Sequence, residues 1–277
     1  MTVIGLLHPG EMGAAVGAAA RLNGARVMWA SEGRGDATRA RARDAGLADA
    51  GSIARLVADS DLIFSICPPA AAIEVGREVA GLGFRGVYVD ANAISPDTTV
   101  AVGDIVSAAG AQFVDGGIIG PPPHRPGTTR LYLSGLGAAD VAAHFAQGPL
   151  TAMALDNRIG AASALKMAYA GWNKGSQALL LAIRALAARE GVDDALVREW
   201  ALSMPDLAKR TEQAVASNSK KAWRFVGEMR EIASTFAAAG LPEGFHEAAA
   251  EIFERMAHWK DTPTPPSVAE VQKALTR

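Results

Sequence analysis

A long uninterrupted helical pattern in the middle of the chain most constrains the fold. Between residues 159 and 191, apolar residues recur at steps of three and four, alanine and leucine dominate, and no proline occurs. The spacing predicts one helix of about thirty residues, roughly three times the usual length in globular proteins. Because a helix of this length can pack on two domains, we expect it to span the junction between them.

The residues before this helix alternate short β-rich runs with alanine-rich helical runs, which predicts βαβ units and a mainly parallel sheet. The predicted strands are residues 2–7, 26–30, 61–66, 87–90, 112–115, 130–134 and 150–155. Only helical patterns follow the long helix, at residues 193–203, 206–217, 220–239 and 243–258, before a short tail helix. The sequence therefore predicts an α/β fold with a doubly wound, Rossmann-type sheet over residues 1–157, the long interdomain helix, and an all-α domain within residues 158–277.

Composition excludes several classes of function. The formal net charge is −2 and aromatic residues make up 6% of the chain, which gives no long-range attraction for nucleic acid or membrane. Cys67 is the single cysteine, so an intrachain disulfide or a cysteine zinc cage cannot form. His246 and His258 lack partners at metal spacing, so we expect them at the surface or at helix caps, and no metal site. Without a signal segment or an apolar run of ~18 residues, the chain is expected to be a cytoplasmic, soluble small-molecule enzyme.

The turn after the first predicted strand carries a glycine pattern that favours phosphate binding. It consists of His8, Pro9, Gly10, Glu11, Met12 and Gly13, and it leads into an alanine-rich helix. In a dinucleotide fingerprint, the first glycine makes the tight turn, the second lets the backbone approach the pyrophosphate, and the third lets helix and strand pack closely. Gly10 and Gly13 fill the second and third roles, and His8 stands in the place of the first. An ordinary strand-to-helix turn with packing glycines is the alternative.

The end of the second predicted strand bears on cofactor choice. It carries Ser31, and Arg34 follows three residues later. A hydroxyl with an arginine suits a ribose 2′-phosphate, which favours NADP over NAD. Glu32 could instead hold the ribose hydroxyls of NAD. The arginines of the next helix, Arg39, Arg41 and Arg43, are expected to form a solvated face.

Later strand ends supply further candidates. Cys67 and Pro68 begin a loop that is expected to lie over the cofactor, because prolines end the strand. Asn92 offers hydrogen bonds at the carboxyl edge of the sheet, whereas Ser95 is best placed as a helix cap. A glycine-rich strand exit places Gly120 where its backbone would line a site.

Lys166 lies in the first half of the long helix, among alanines and with no opposite charge four residues away. Such a lysine is either solvated or aimed into a site. Because apolar neighbours favour the neutral amine, Lys166 could serve as a general acid or base. The helical step places Ala170 and Asn173 on the same face as Lys166.

The order of these motifs resembles the β-hydroxyacid dehydrogenase superfamily, which includes 3-hydroxyisobutyrate and 6-phosphogluconate dehydrogenases. The chain is most similar to the phosphogluconate-dehydrogenase-like NAD-binding branch with a C-terminal domain of unassigned function. Residues 8–13 stand at the family motif G-x-G-x-M-G, and residues 90–96 resemble the substrate-binding stretch D-x-S-T-x-S-P, with Asn92 replacing a serine. Lys166 matches the family's catalytic lysine, whereas Ala170 stands where an asparagine is usual and Asn173 would substitute for it.

The resemblance implies an NAD(P)-dependent oxidoreductase that transfers a hydride between nicotinamide and a small hydroxy acid or related carbonyl compound. It implies that the first domain binds the dinucleotide, with NADP preferred, and that the all-α domain contributes to substrate binding and pairs two subunits in a homodimer. Catalysis is assigned to Lys166 and Asn173, and the expected substrate contacts are Asn92, Gly120, Tyr169, Trp223 and Arg224. Imine reduction on the same scaffold stays open, although imine reductases usually carry aspartate or tyrosine at the position of the lysine. A non-catalytic NADP-binding sensor is a further alternative.

Overall fold

The computed structural model describes all 277 residues, which divide into two compact units, residues 1–167 and 168–277. The division falls inside one 29-residue helix, so each unit contains part of that helix. The domain boundary expected at residue 157 lies between the last strand and the start of this helix. Its assignment as a border between independent domains stays a prediction.

The first unit is built around an eight-stranded sheet. Its strands are β1 (Val3–Leu7), β2 (Arg26–Trp29), β3 (Ala48–Asp49), β4 (Leu62–Ser65), β5 (Val87–Asp90), β6 (Gln112–Ile119), β7 (Thr129–Ser134) and β8 (Leu150–Ala154). They lie in the order β3-β2-β1-β4-β5-β6-β7-β8, and every neighbouring pair is parallel except β6 and β7. The predicted α/β fold with a mainly parallel, doubly wound sheet is confirmed.

Helices cover both faces of this sheet. They are α1 (Glu11–Arg21), α2 (Asp36–Asp44), α3 (Ile53–Asp59), α4 (Ala72–Gly81), α5 (Pro96–Ala108) and α6 (Ala138–Ala143). Side chains alternate between the faces of a strand, and in β4 Leu62 and Phe64 enter one apolar core whereas Ile63 enters the other. The central strands are apolar at nearly every position because neither face meets water. Ser95 caps α5 by accepting a hydrogen bond from the Thr98 N–H, as the sequence predicts.

Two strands differ from the sequence prediction. The two-residue strand β3 is too short to show a periodic pattern, and the sequence prediction misses it. Strand β6 runs to Ile119 rather than ending at Asp115, because Gly116 to Ile119 pair with antiparallel β7. The glycine-rich segment therefore belongs to a hairpin instead of a strand exit.

The long helix, α7 (Ala161–Arg189), confirms the central prediction from the sequence. The second unit continues with α8 (Asp193–Ser203), α9 (Leu207–Asn218), α10 (Ala222–Ala238), α11 (Gly244–Met256) and α12 (Val268–Leu275), and it contains no strand. Its core includes Phe225 and Phe253, whose rings meet edge to face with centroids 5.3 Å apart. None of the chain's helices combines the length and apolar character that crossing a membrane requires.

His246 of α11 is buried, so the expectation that it lies at the surface or at a cap is wrong. Its Nε2 faces two glycines on one side of α7, where a Cβ would come within 3.2 Å at Gly171 and 3.4 Å at Gly175. Its ring also packs against Phe236, with centroids 4.4 Å apart. The paired glycines leave a groove on α7 that admits an imidazole.

Candidate active site

The carboxyl ends of four neighbouring strands meet at one edge of the sheet. Strand register pairs Leu7 with Ser65, Ser65 with Asp90, and Asp90 with Asp115. Three strand spacings of about 4.8 Å make this row roughly 14 Å long. The chain reverses direction across the sheet between β1 and β4, and ligands of doubly wound sheets bind at such a switch point. The loops that follow these strands carry the candidate residues His8, Cys67 and Asn92.

The turn between β1 and α1 has the backbone geometry of a dinucleotide fingerprint. His8 adopts a φ of 65°, the left-handed conformation that a fingerprint glycine would supply. A Cβ at Gly13 would lie 2.7 Å from the carbonyl oxygen of His8, so only glycine lets α1 pack this closely. A Cβ at Gly10 would meet no atom within 4 Å, so the space beside this backbone is open.

The amino end of α1 fits a phosphate group. The helix begins at Glu11, and no side chain caps it at Gly10. Its first backbone N–H groups therefore have no acceptor within the helix, and the helix dipole adds partial positive charge there. Met12 packs partly buried against the apolar core, which holds the first turn of α1 in place. The open space at Gly10 and the uncapped N–H groups together suit a pyrophosphate.

The tip of β2 lies next to this turn. Arg34 affects the titration of His8: burial, and secondly the charge of Arg34, lower the pKa of His8 to about 4. The Arg34 guanidinium forms no ion pair with a carboxylate of the chain, whereas Ser31 is buried. Although burial acts to raise it, hydrogen bonds from Ser31 and Gly51 hold the pKa of Asp49 below its usual value.

Two arginines of α2 support the loops around the candidate cofactor site. Arg39 donates from Nη2 to the carbonyl oxygen of Ser31 at 2.8 Å and from Nε to that of Arg34 at 3.1 Å. Arg41 donates from Nε to the carbonyl oxygen of Pro9 at 3.3 Å. Arg39 and Arg43 are exposed, as the expected solvated face requires, whereas Arg41 is half-buried and its guanidinium binds the Pro9 carbonyl oxygen.

Asn92 joins the loops that follow β4 and β5. Its Oδ1 accepts a hydrogen bond from the Cys67 N–H at 2.5 Å, and its Nδ2 donates to Ser65 Oγ at 3.0 Å and Asp90 Oδ2 at 2.9 Å. Burial raises the pKa of Asp90 to about 7 and that of the Cys67 thiol to about 11. Pro68 then leads into a single 3₁₀ turn at Pro69–Ala71. Asn92 thus shapes the edge of the sheet, and its contact with cofactor or substrate stays a prediction.

Side chains of the sheet hold the first turn of α7. Asp115 accepts hydrogen bonds from the Ser163 N–H at 3.1 Å, the Ser163 hydroxyl at 2.6 Å and the Ser134 hydroxyl at 3.0 Å. The Ser134 Oγ in turn accepts from the Ala162 N–H at 3.1 Å, and Thr99 contacts the Ser163 hydroxyl at 2.8 Å. This cap from the sheet satisfies helix N–H groups that the helix itself cannot. No local pattern in the sequence predicts this cap. Its only sign there is an aspartate at a strand end together with a serine near the start of the long helix.

Lys166 lies half-buried one turn after this cap. Its Nζ donates a hydrogen bond to the carbonyl oxygen of Ile118 at 2.6 Å. Gly117 allows α7 to pack this close to β6, because a Cβ there would lie 2.6 Å from the Ala162 carbonyl oxygen and 3.2 Å from Lys166 Cβ. Lys166 therefore reaches β6 three residues beyond Asp115, at the same edge as the glycine turn. This arrangement brings the predicted acid/base to the candidate cofactor edge.

Gly120 has a clear structural role in the turn between β6 and β7. It adopts a φ of 125°, and a Cβ there would lie 2.3 Å from the carbonyl oxygen of Thr128. Both observations require glycine for the hairpin. Contact between Gly120 and a substrate stays a prediction.

The remaining predicted residues belong to the second unit. Asn173 accepts a hydrogen bond from Gln177 at 3.3 Å and lines a cavity of about 560 Å³ between α7 and α9. Tyr169 is exposed on α7. Trp223 and Arg224 lie in the first turn of α10, and Lys260 Nζ lies 4.2 Å from the Trp223 ring centroid. The catalytic and substrate-binding roles of these four residues stay predictions.

Comparisons with known proteins identify the architecture. Residues 187–256 match a family described as a domain of unknown function (DUF1932). The uncharacterized 28.5 kDa protein in the 7S RNA 5′ region of Methanothermus fervidus is 28% identical over 171 residues, which cover 62% of this chain and 65% of that protein. The solved structure of 3-hydroxyisobutyrate dehydrogenase from Mycobacterium tuberculosis, with L-serine, aligns over 100% of both chains with a TM-score of 0.70 and 17% identity. The chain has the 3-hydroxyisobutyrate dehydrogenase fold.

The same dehydrogenase fold occurs in reductases of carbon–nitrogen double bonds. A reductive aminase from Aspergillus terreus, solved in complex with NADPH and ethyl levulinate, aligns over 99% of both chains with a TM-score of 0.56 and 19% identity. At these identities the likeness establishes the fold.

Proposed function

We propose that the protein is an NAD(P)-dependent oxidoreductase that transfers a hydride between nicotinamide and a small hydroxy acid or related carbonyl compound. The observation that carries the proposal is the open, uncapped amino end of α1 at the switch point of the sheet, which shares one edge with the half-buried Lys166. An anion site and a proton-transfer group at the same edge of the sheet are what such a reaction requires.

The dinucleotide would be held mainly by backbone. The N–H groups of Glu11, Met12 and Gly13 are free to bind the pyrophosphate, and the open space at Gly10 admits it. Ser31 and Arg34 would bind the adenosine ribose, and the unpaired guanidinium favours NADP with its 2′-phosphate. The bound nicotinamide supplies the hydride acceptor or donor.

Lys166 acts as the general acid/base in this proposal. Its Nζ would give a proton to the substrate oxygen when a carbonyl is reduced, and would take that proton as a neutral amine when an alcohol is oxidised. The cap at Asp115 and the close approach at Gly117 fix the helix backbone that carries the amine. Asn173, seven residues further along α7, is proposed as the second catalytic residue on the family resemblance.

Replacing Lys166 tests the assignment. A panel of small hydroxy acids with NADP⁺, and of carbonyl compounds with NADPH, first identifies a turnover reaction. Lys166→Met should then lower kcat by about 10²-fold or more, the usual contribution of a general acid/base, and leave the Kd for NADPH within about threefold. Lys209→Met, at an exposed position of α9, is the matched control and should retain activity. Full activity of Lys166→Met would remove the lysine from the mechanism.

Imine reduction is the second candidate, favoured by the fold shared with the reductive aminase. It uses the same cofactor edge, with a C=N group in the place of the carbonyl. Ketones and amines supplied together with NADPH separate the two candidates. Turnover only when an amine is present would establish imine reduction and displace the hydroxy-acid proposal.

We propose further that two copies pair along α7. Tyr169, Trp172, Leu179, Ile183 and Leu186 are exposed in the second unit, 74% for Trp172 and 60% for Leu186. With Ser176 they repeat at alternating steps of three and four, the spacing of a helix-pairing seam. We call these five apolar residues the α7 stripe. Residues 233–240 are a weaker candidate for the interface, because Ala233 is buried and Phe236 packs on His246.

A further inference from the structure

His8 occupies a backbone conformation that non-glycine residues rarely take, although histidine is among the residue types that tolerate it best. It is the one non-glycine residue of the chain with a positive φ, 65°, and it stands where a dinucleotide fingerprint has its first glycine. Glycine adopts this conformation without strain, whereas a side chain is disfavoured there. A histidine side chain at this position points to a use for that side chain.

The two ring nitrogens of His8 have different surroundings. Nδ1 is buried without a hydrogen-bond partner. Nε2 makes no hydrogen bond within the chain, and unlike Nδ1 it is not buried. It therefore reaches the surface of the turn. The backbone of the same residue accepts the Gly10 N–H at 2.7 Å. The accessible nitrogen thus belongs to the turn that lines the proposed pyrophosphate site.

The imidazole is a neutral donor at pH 7. Burial, and secondly the charge of Arg34, lower its pKa to about 4, so the ring carries a single proton. A proton on Nδ1 would be an orphaned buried N–H, which is rarer in proteins than an under-satisfied acceptor. We therefore assign the proton to Nε2, the accessible nitrogen.

We propose that His8 donates a hydrogen bond from Nε2 to the pyrophosphate of the bound dinucleotide, so that a side chain adds a contact that the fingerprint glycine cannot make. This inference rests on the proposed function, because it requires that the turn binds a dinucleotide. It differs from the standard fingerprint, in which the first residue contributes only its backbone conformation.

Titration of the full chain with NADPH, followed by fluorescence, tests the inference with His8→Gly and His8→Asn. Glycine is the residue that the backbone favours, so His8→Gly should fold with an unchanged or higher Tm. We expect it to bind NADPH about tenfold or more weakly, the usual effect of losing a hydrogen bond to a charged group. Asparagine tolerates the left-handed conformation and carries an amide donor, so His8→Asn should bind NADPH more tightly than His8→Gly.

Adenosine 2′-monophosphate, which lacks a pyrophosphate, locates the contact. Its affinity should be equal in the wild-type protein and in His8→Gly. Equal or tighter NADPH binding by His8→Gly, no recovery in His8→Asn, or an equal loss for adenosine 2′-monophosphate would each overturn the inference. If the wild-type protein binds neither NADPH nor NADH, the proposed function falls as well, so the two failures are distinguishable.

Discussion

The two parts of α7, residues 161–167 in the first unit and residues 168–189 in the second unit, are held by different chemistry. In the first unit, the carboxylate of Asp115 and the hydroxyl of Ser134 accept hydrogen bonds from backbone N–H groups of the first helical turn. In the second unit, side chains of α7 form ion pairs: Arg184 binds Asp193 at 2.5 and 2.8 Å, and Lys174 pairs with Glu228. The first part is fixed through its backbone N–H groups as well as through side chains, and the second through the tips of long side chains.

This difference matches what each part of α7 is proposed to do. A catalytic group must be placed to within about 0.5 Å, and backbone hydrogen bonds to a rigid sheet restrict a helix more closely than flexible side chains do. Lys166 lies one turn from the cap, in the closely held part. The second part needs only to keep its helical neighbours together and to present the α7 stripe.

Removing the cap should have the largest effect. Asp115→Ala leaves the Ser163 N–H, the Ser163 hydroxyl and the Ser134 hydroxyl without their acceptor in a buried site. We expect the free energy of unfolding to fall by roughly 3 kcal/mol or more, measured by urea denaturation. Asp104→Ala, at an exposed position of α5, is the matched control and should change it by less than about 0.5 kcal/mol. A loss below about 1 kcal/mol for Asp115→Ala would show that the cap does not hold α7.

Breaking the ion pair between Lys174 and Glu228, in the second part of α7, should lower the free energy of unfolding by less. Lys174 and Glu228 are 16% and 15% exposed, and Lys174 Nζ lies 4.1 Å from the Phe225 ring centroid. Lys174→Met keeps the apolar stem but removes the ion pair with the Glu228 carboxylate, so we expect a loss of about 2 kcal/mol. Adding Glu228→Gln should recover part of that loss, which a double-mutant cycle measures.

The exposed pair of Arg230 and Glu254 provides the comparison for this cycle. Because both side chains are more than half exposed, Glu254→Gln should change the stability by less than about 0.5 kcal/mol. Additive effects of Lys174→Met and Glu228→Gln would contradict a coupled pair.

Changing the α7 stripe should have the smallest effect on the folded chain and the clearest effect on assembly. Ile183→Glu places a charge on an exposed surface, so each chain should stay folded while the proposed dimer dissociates. Light scattering after size-exclusion chromatography should show twice the chain mass for the wild-type protein and the chain mass for the variant. Ala188→Glu, exposed on α7 but outside the stripe, should stay dimeric. A monomeric wild-type protein would remove the dimer proposal.

Regular patterns made much of the fold predictable. The apolar steps of α7 and the alternation before it follow from local geometry, so the long helix and most strands were predicted close to their observed ends. The extension of β6 was missed because its glycines become a strand only through pairing with β7. The burial of His246 likewise depends on a groove formed by two glycines of another helix.

The candidate site was predictable only where one residue type carries the signal. Lys166 was singled out because it lies among alanines near the start of the long helix. The contact between Asp115 and the first turn of α7 was not predicted, because it requires the register of β6 against the helix, which no local pattern contains. His8 was recognised only as a missing glycine, since the different surroundings of its two ring nitrogens appear only in three dimensions.

The most direct test of the proposed function is a fluorescence titration of the purified protein with NADPH and NADH. We predict saturable binding with a preference for NADPH, because the unpaired Arg34 can bind the 2′-phosphate. Arg34→Ala should weaken NADPH binding by about tenfold and leave NADH binding unchanged, whereas Arg43→Ala, exposed on α2, should change neither. If neither nucleotide binds the wild-type protein, the turn after β1 is not a cofactor site and the oxidoreductase proposal is contradicted.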